Sequence, residues 1–157
     1  MRSLAGFKPV FSYSTNKLDP ASHRSMWNDW LDFSNQPTAS KTIQVVQAYG
    51  SDKAFSVPVD AMAVGPALRT KRFHNFAGCN YTDPSLHDKA LAYGKSFKEK
   101  MTGSLGEEVS LYPNFAFGNE TLKELYGEGE RVEKLKALKN QWDPENVFCH
   151  YLPLADL

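Results

Sequence analysis

The chain has 157 residues, 41% hydrophobic and 13% aromatic, which is enough for one folded domain with a buried core and excludes a disordered chain. Eighteen basic residues balance eighteen acidic ones, so no broad basic surface is available and nucleic acid is excluded as a partner. No segment reaches the roughly 20 apolar residues of a membrane span, and Met1–Pro9 lacks the apolar run of a secretion signal. No membrane contact and a cytoplasmic location are therefore expected.

In chain order, Lys8 to Ser14 is β-rich and bounded by turn residues, which predicts a first strand. Asp19-Pro20 predicts a helix start, because aspartate accepts the free amide hydrogens and proline suits the first helical position. The helix is expected to run to about Phe33, with Met26, Trp27, Trp30 and Leu31 on one face as core residues. Thr42 to Tyr49 reads as a second strand. Gly50 to Arg72 is a long connection holding the apolar run Ala61 to Pro66 and the basic residues Arg69, Lys71 and Arg72. Connections of that length in a small domain usually carry function or move.

Phe73 to Tyr81 is the third predicted strand, with Asn75, Ala77, Cys79 and Tyr81 on one face and His74, Phe76 and Asn80 on the other. Asp83-Pro84 repeats the helix-start signal and opens a helix to Met101, with Leu86, Ala90, Phe97 and Met101 as its apolar stripe. Glu108 to Phe115 is the fourth predicted strand. A short helix from Glu120 follows, then a helix around Arg131 with Val132, Leu135 and Leu138 turned inward. The order β-α-β, β-α-β and two helices predicts an α+β fold: a ferredoxin-like split βαβ antiparallel sheet with helices on one face plus two C-terminal helices. One domain is expected to span residues 1–157.

The cysteines are Cys79 and Cys149, and the histidines His23, His74, His87 and His150 are scattered without zinc-ligand spacing, so no metal site is expected.

The last third carries more specific information. Tyr112-Pro113-Asn114 is followed by Tyr126-Gly127, by the helix Arg131-x-x-x-Leu135-x-x-x-Lys139, and by Trp142-Asp143-Pro144-Glu145-Asn146-Val147-Phe148. This order and spacing resemble the C-terminal signature of the berberine-bridge-enzyme-like FAD-linked oxidases. The resemblance implies a substrate domain whose sheet lies over a flavin, with Tyr112 and Asn114 at the interface. The family's flavin-binding domain and its covalent flavin attachments find no counterpart here, so no cofactor is expected on the preferred reading. The residue after the asparagine is a tyrosine base in several members. Here it is Phe115, which cannot accept a proton.

Three readings compete. The preferred one is a stand-alone, flavin-free domain that binds a small hydrophobic specialised metabolite and promotes its cyclisation by holding a near-attack conformer. His74, Tyr81 and Asn80 would polarise a carbonyl, and Phe76, Tyr112, Asn114, Phe115 and Arg72 would hold the substrate. The second is the substrate-domain part of a FAD-dependent oxidoreductase, in which case the cofactor is FAD. The third is a non-catalytic binding module. A sheet face freed of its flavin domain would be apolar, which predicts a homodimer or a covered pocket.

Overall fold

The computed structural model describes residues 6–58, 61, 65–103, 106 and 110–149. Its elements are β1 (Val10–Thr15), α1 (Pro20–Ser34), β2 (Ile43–Ala48), α2 (Asp52–Phe55), α3 (Pro66–Arg69), β3 (Phe73–Gly78), α4 (His87–Gly103), α5 (Leu122–Tyr126) and α6 (Glu130–Trp142). Single 3-10 turns lie at Pro84–Leu86 and Pro113–Phe115. The sheet order is β1-β3-β2, with β3 antiparallel to both neighbours. β1 and β2 therefore run the same way, are joined through α1, and have β3 inserted between them.

Both long helices begin where their caps dictate. Asp19 accepts the Ser22 amide at 2.8 Å, and Asp83 accepts the Ser85 amide at 2.9 Å. Hydrogen bonds from Ser22 hold the Asp19 carboxyl below its usual value, and the Ser85 amide does the same to Asp83. At α5, Thr121 and Glu124 form a reciprocal capping box.

The period of two along each strand puts Phe11, Tyr13, Asn75 and Ala77 on one sheet face, under α1 and α4. There α4 comes so close to β1 that a methyl group at Gly94 would stand 2.2 Å from the Phe11 ring. Phe33 of α1 stacks on Tyr93 of α4 at 5.7 Å, and Met26, Phe97 and Met101 fill the space around them. Across the two helices, Asp29 accepts the Ser96 hydroxyl at 2.8 Å and the Lys100 ammonium at 2.5 Å.

Several expectations need correction. The described residues of the predicted fourth strand, 110 to 115, form no strand. Pro113 has no amide hydrogen for a ladder and sits in a 3-10 turn. One backbone bond, from the Ser14 amide to the Ser110 carbonyl at 2.9 Å, ties this segment to the outer edge of β1. β3 ends at Gly78 rather than Tyr81, and Tyr81 instead bridges to Phe7. Trp27 and Leu31 are exposed, because the packed stripe of α1 runs through the buried Met26 and Phe33 and the partly buried Trp30, and Trp27 and Leu31 flank it. Leu138 is exposed likewise, whereas Val132 is buried. The long connection contains α2 and α3, and Met62 to Val64 lies outside the described residues.

Candidate functional site

The sheet face turned away from α1 and α4 gathers residues from all three strands. The register sets Ser14 and Gln47 on either side of His74, and Ser12 and Val45 on either side of Phe76. The segment after Ser110 then wraps the free edge of β1. Phe115 stacks on Phe76 at 4.5 Å, and Phe117 stacks on Phe11 on the opposite face at 5.2 Å. Tyr112 meets Phe115 edge-on at 5.3 Å, and the exposed Asn114 amide donates to the Tyr112 hydroxyl at 2.8 Å. Tyr112, Asn114 and Phe115 thus form one aromatic wall over Phe76.

His74 stands beside that wall. Its Nδ1 is 2.8 Å from the Ser14 hydroxyl, and its ring lies 6.0 Å from Tyr49. Burial lowers the imidazole pKa, so the neutral ring is favoured at pH 7. With Nδ1 engaged by Ser14, Nε2 is the nitrogen left for a ligand. His74 lines a cavity of about 290 Å³, together with Tyr49, Phe55, Leu68, Arg69 and Tyr112. The cavity lies between the strand ends of the sheet and the connection carrying α2 and α3.

The other expected residues lie elsewhere. Tyr81 is fully buried on the helix side, with Phe7 stacked on it at 5.2 Å and its hydroxyl 2.9 Å from His87 Nδ1. Asn80 lies beyond the far end of β3, about 20 Å along the strand direction from His74, and its backbone N–H donates to the Thr42 hydroxyl. The structure does not bring His74, Tyr81 and Asn80 together. Arg72 pairs with Asp52 at 2.9 Å and covers the Phe55 ring, while Arg69 takes the place beside the cavity. Sequence reasoning missed Ser14 and Tyr49 as neighbours of His74. Ser14 is 60 residues away in the chain and meets His74 only through strand pairing.

A split βαβ sheet with two helices on one face and an aromatic-walled cavity on the other defines the class, and solved structures share the fold. Chitooligosaccharide oxidase matches 91% of this chain and 31% of its own, with a TM-score of 0.65 and 16% identity. GilR, solved with pregilvocarcin and described as an oxidoreductase of gilvocarcin biosynthesis, matches 90% of this chain and 31% of its own, with a TM-score of 0.66 and 16% identity. Residues 111–154 match the family described as berberine and berberine like. The FAD-linked oxidoreductase fmqD of Aspergillus fumigatus is 30% identical over 147 residues, 92% of this chain and 29% of that protein. The FAD-linked oxidoreductase tazG of Aspergillus terreus is 28% identical over 88% of this chain and 28% of that protein. Residues 111–154 carry the berberine-like segment, and the chain over most of its length is similar to the berberine-bridge-enzyme-like FAD-linked oxidases, of whose length it spans about three-tenths.

The described residues do not by themselves fit a flavin dinucleotide. A pyrophosphate favours free amide hydrogens at a helix start. Here Asp19 and Asp83 occupy the starts of the α1 and α4 segments with carboxylates, and the uncapped start of α6 carries Glu130 and Glu133 in its first turn. Among the described residues, no group of three or more His, Cys, Asp or Glu side chains is placed to hold a metal ion. No described helix is long and apolar enough to cross a membrane.

Proposed function

We propose that this chain forms the substrate-side wall of a FAD-linked oxidoreductase that acts on a small hydrophobic specialised metabolite. The observation that carries the proposal is the cavity of about 290 Å³ beside His74, one wall of which is Tyr112 from the family's matched segment. The order of the sequence-based readings is thereby reversed. What favours the oxidoreductase reading over the flavin-free one is that the relatives named above are FAD-linked oxidoreductases.

In this reading the redox group is held by the rest of the enzyme, and this chain binds and orients the substrate. Tyr49, Phe55, Leu68 and Tyr112 give the open cavity aromatic and apolar walls, and neutral His74, held by Ser14, offers Nε2 to a substrate hydroxyl or carbonyl. The ferredoxin-like form of the sheet is part of the proposal. It is supported by the split βαβ unit and by Ser110 lying beside β1, the edge where such a sheet has its fourth strand.

The test is to tag the protein in the cells that make it, purify it with whatever accompanies it, and record its absorbance and sedimentation. Flavin bands that survive desalting are expected. A colourless protein overturns the proposal, and if it sediments as a homodimer the binding-module reading replaces it.

A further inference from the structure

We infer that the cavity beside His74 takes acidic ring compounds, phenols and enolised 1,3-dicarbonyls, and holds them as anions. This rests on reading the cavity as the ligand site. The pairing of two arginines only three positions apart points to it. Arg72 has a half-exposed side chain and is given a carboxylate, Asp52, at 2.9 Å. Arg69 is 9% exposed and is given none among the described residues.

The Arg69 guanidinium instead donates to three main-chain carbonyls: Pro58 at 2.6 Å, Ala54 at 2.6 Å and Val57 at 2.9 Å. Those acceptors satisfy N–H groups without cancelling the charge. A guanidinium does not shed its proton, and a buried charge is ordinarily paired. The carbonyls also fix it in place, so no reorganisation is needed when an anion arrives.

The cavity is otherwise suited to that anion. Among the described residues its titratable lining is Arg69, Lys71, His74, Tyr49 and Tyr112, with no aspartate or glutamate, and Asp52 on the α2 side is committed to Arg72. Tyr49, Phe55 and Tyr112 supply flat walls, and about 290 Å³ is at the small end of ligand sites. A cation beside the ligand's hydroxyl favours the ionised form, and the proton lost goes to solvent.

The probe is 4-nitrophenol, whose absorbance reports its own ionisation, titrated with the full chain across pH. The pKa of the bound dye is expected to fall by about one unit, which is a tenfold preference for phenolate over phenol. Arg69→Gln keeps N–H donors for the carbonyls and removes the charge, so the shift should vanish, whereas Arg69→Lys should retain it. A bound dye with an unshifted or raised pKa, or a shift that survives Arg69→Gln, overturns the inference. Should Arg69→Gln fail to fold, 4-nitroanisole decides the matter with the unaltered protein, since it has the same ring and no acidic proton. It is expected to bind at least about tenfold more weakly than the phenolate. Equal binding of the two overturns the anion inference and leaves the cavity as a ligand site; no saturable binding of either overturns both.

Discussion

The ring of Phe115 lies on Phe76, with centroids 4.5 Å apart and planes 24° apart. The position that follows Asn114 is thereby built into the wall of the outer sheet face, as a packing group rather than a proton acceptor. Tyr112 is set edge-on against the same ring and lines the cavity, so the wall and the candidate site share a residue.

Removing that ring should loosen the segment after Ser110. Phe115→Ala is expected to lose about 0.5–1.5 kcal/mol of aromatic pairing in addition to its area term, whereas Phe115→Tyr keeps the stack and should cost less. Urea unfolding of the two variants gives the comparison. Equal stabilities would mean that the stack does not hold the wall.

Gly94→Ala tests the contact between α4 and β1. Alanine is the better helix former by roughly 1 kcal/mol, but its methyl group would meet the Phe11 ring at 2.2 Å. Phe11 is itself stacked on Phe117 and cannot simply swing away. Overpacking of about 1–3 kcal/mol should win, giving a lower melting temperature, and Phe11→Leu in the same chain should recover part of the loss.

His74 makes stability depend on pH. Burial lowers its pKa in the folded protein, so the unfolded chain binds the proton more readily. The stability associated with the neutral ring is present above the unfolded value near 6.5 and is lost as pH falls through the lower folded value. His74→Gln should therefore flatten the fall in stability as pH drops below about 6.5, measured against the unaltered protein. A fall of the same size in the variant would place the effect on other groups.

Asp143 should hold the closing turn through its charge. Lys139 pairs with it, and the amides of Val147 and Phe148 donate to it at 2.8 Å and 3.0 Å. Lys139, and then these amides, keep its carboxyl below the usual range. The contribution is present above the unfolded value near 3.9 and is lost as pH falls through the depressed folded value. Asp143→Asn should speed amide exchange at Val147 and Phe148 while leaving the buried amides of β3 unchanged. Unchanged exchange at Val147 would show that Pro144 and Asn146 close the turn alone.

The local signals in the sequence were strong where one residue settles a local choice. Asp19-Pro20 and Asp83-Pro84 start the α1 and α4 segments because an aspartate side chain meets free amide hydrogens a few residues away. The period of two placed His74 and Phe76 on one face of β3 and Asn75 and Ala77 on the other. The spacing from Tyr112 to Phe148 was enough for the family. Each of these depends on residues close in the chain.

Tertiary structure decided what depends on distant residues. Pro113 denied the fourth predicted strand its ladder, and only the docking against β1 shows where that segment goes. Trp27 and Leu138 have the apolar character of core residues, but which side of a helix is covered depends on the neighbour that packs there. Tyr81 and His74 belong to the same predicted strand, yet one is sealed under α1 and α4 and the other opens onto the cavity. That Arg69 lines the cavity and Arg72 does not followed from which side chain the turn from Ala54 to Pro58 could enclose. A sequence specifies which chemical groups are available and which faces they alternate between; burial, pairing and proximity arise only when the strands and helices close around one another.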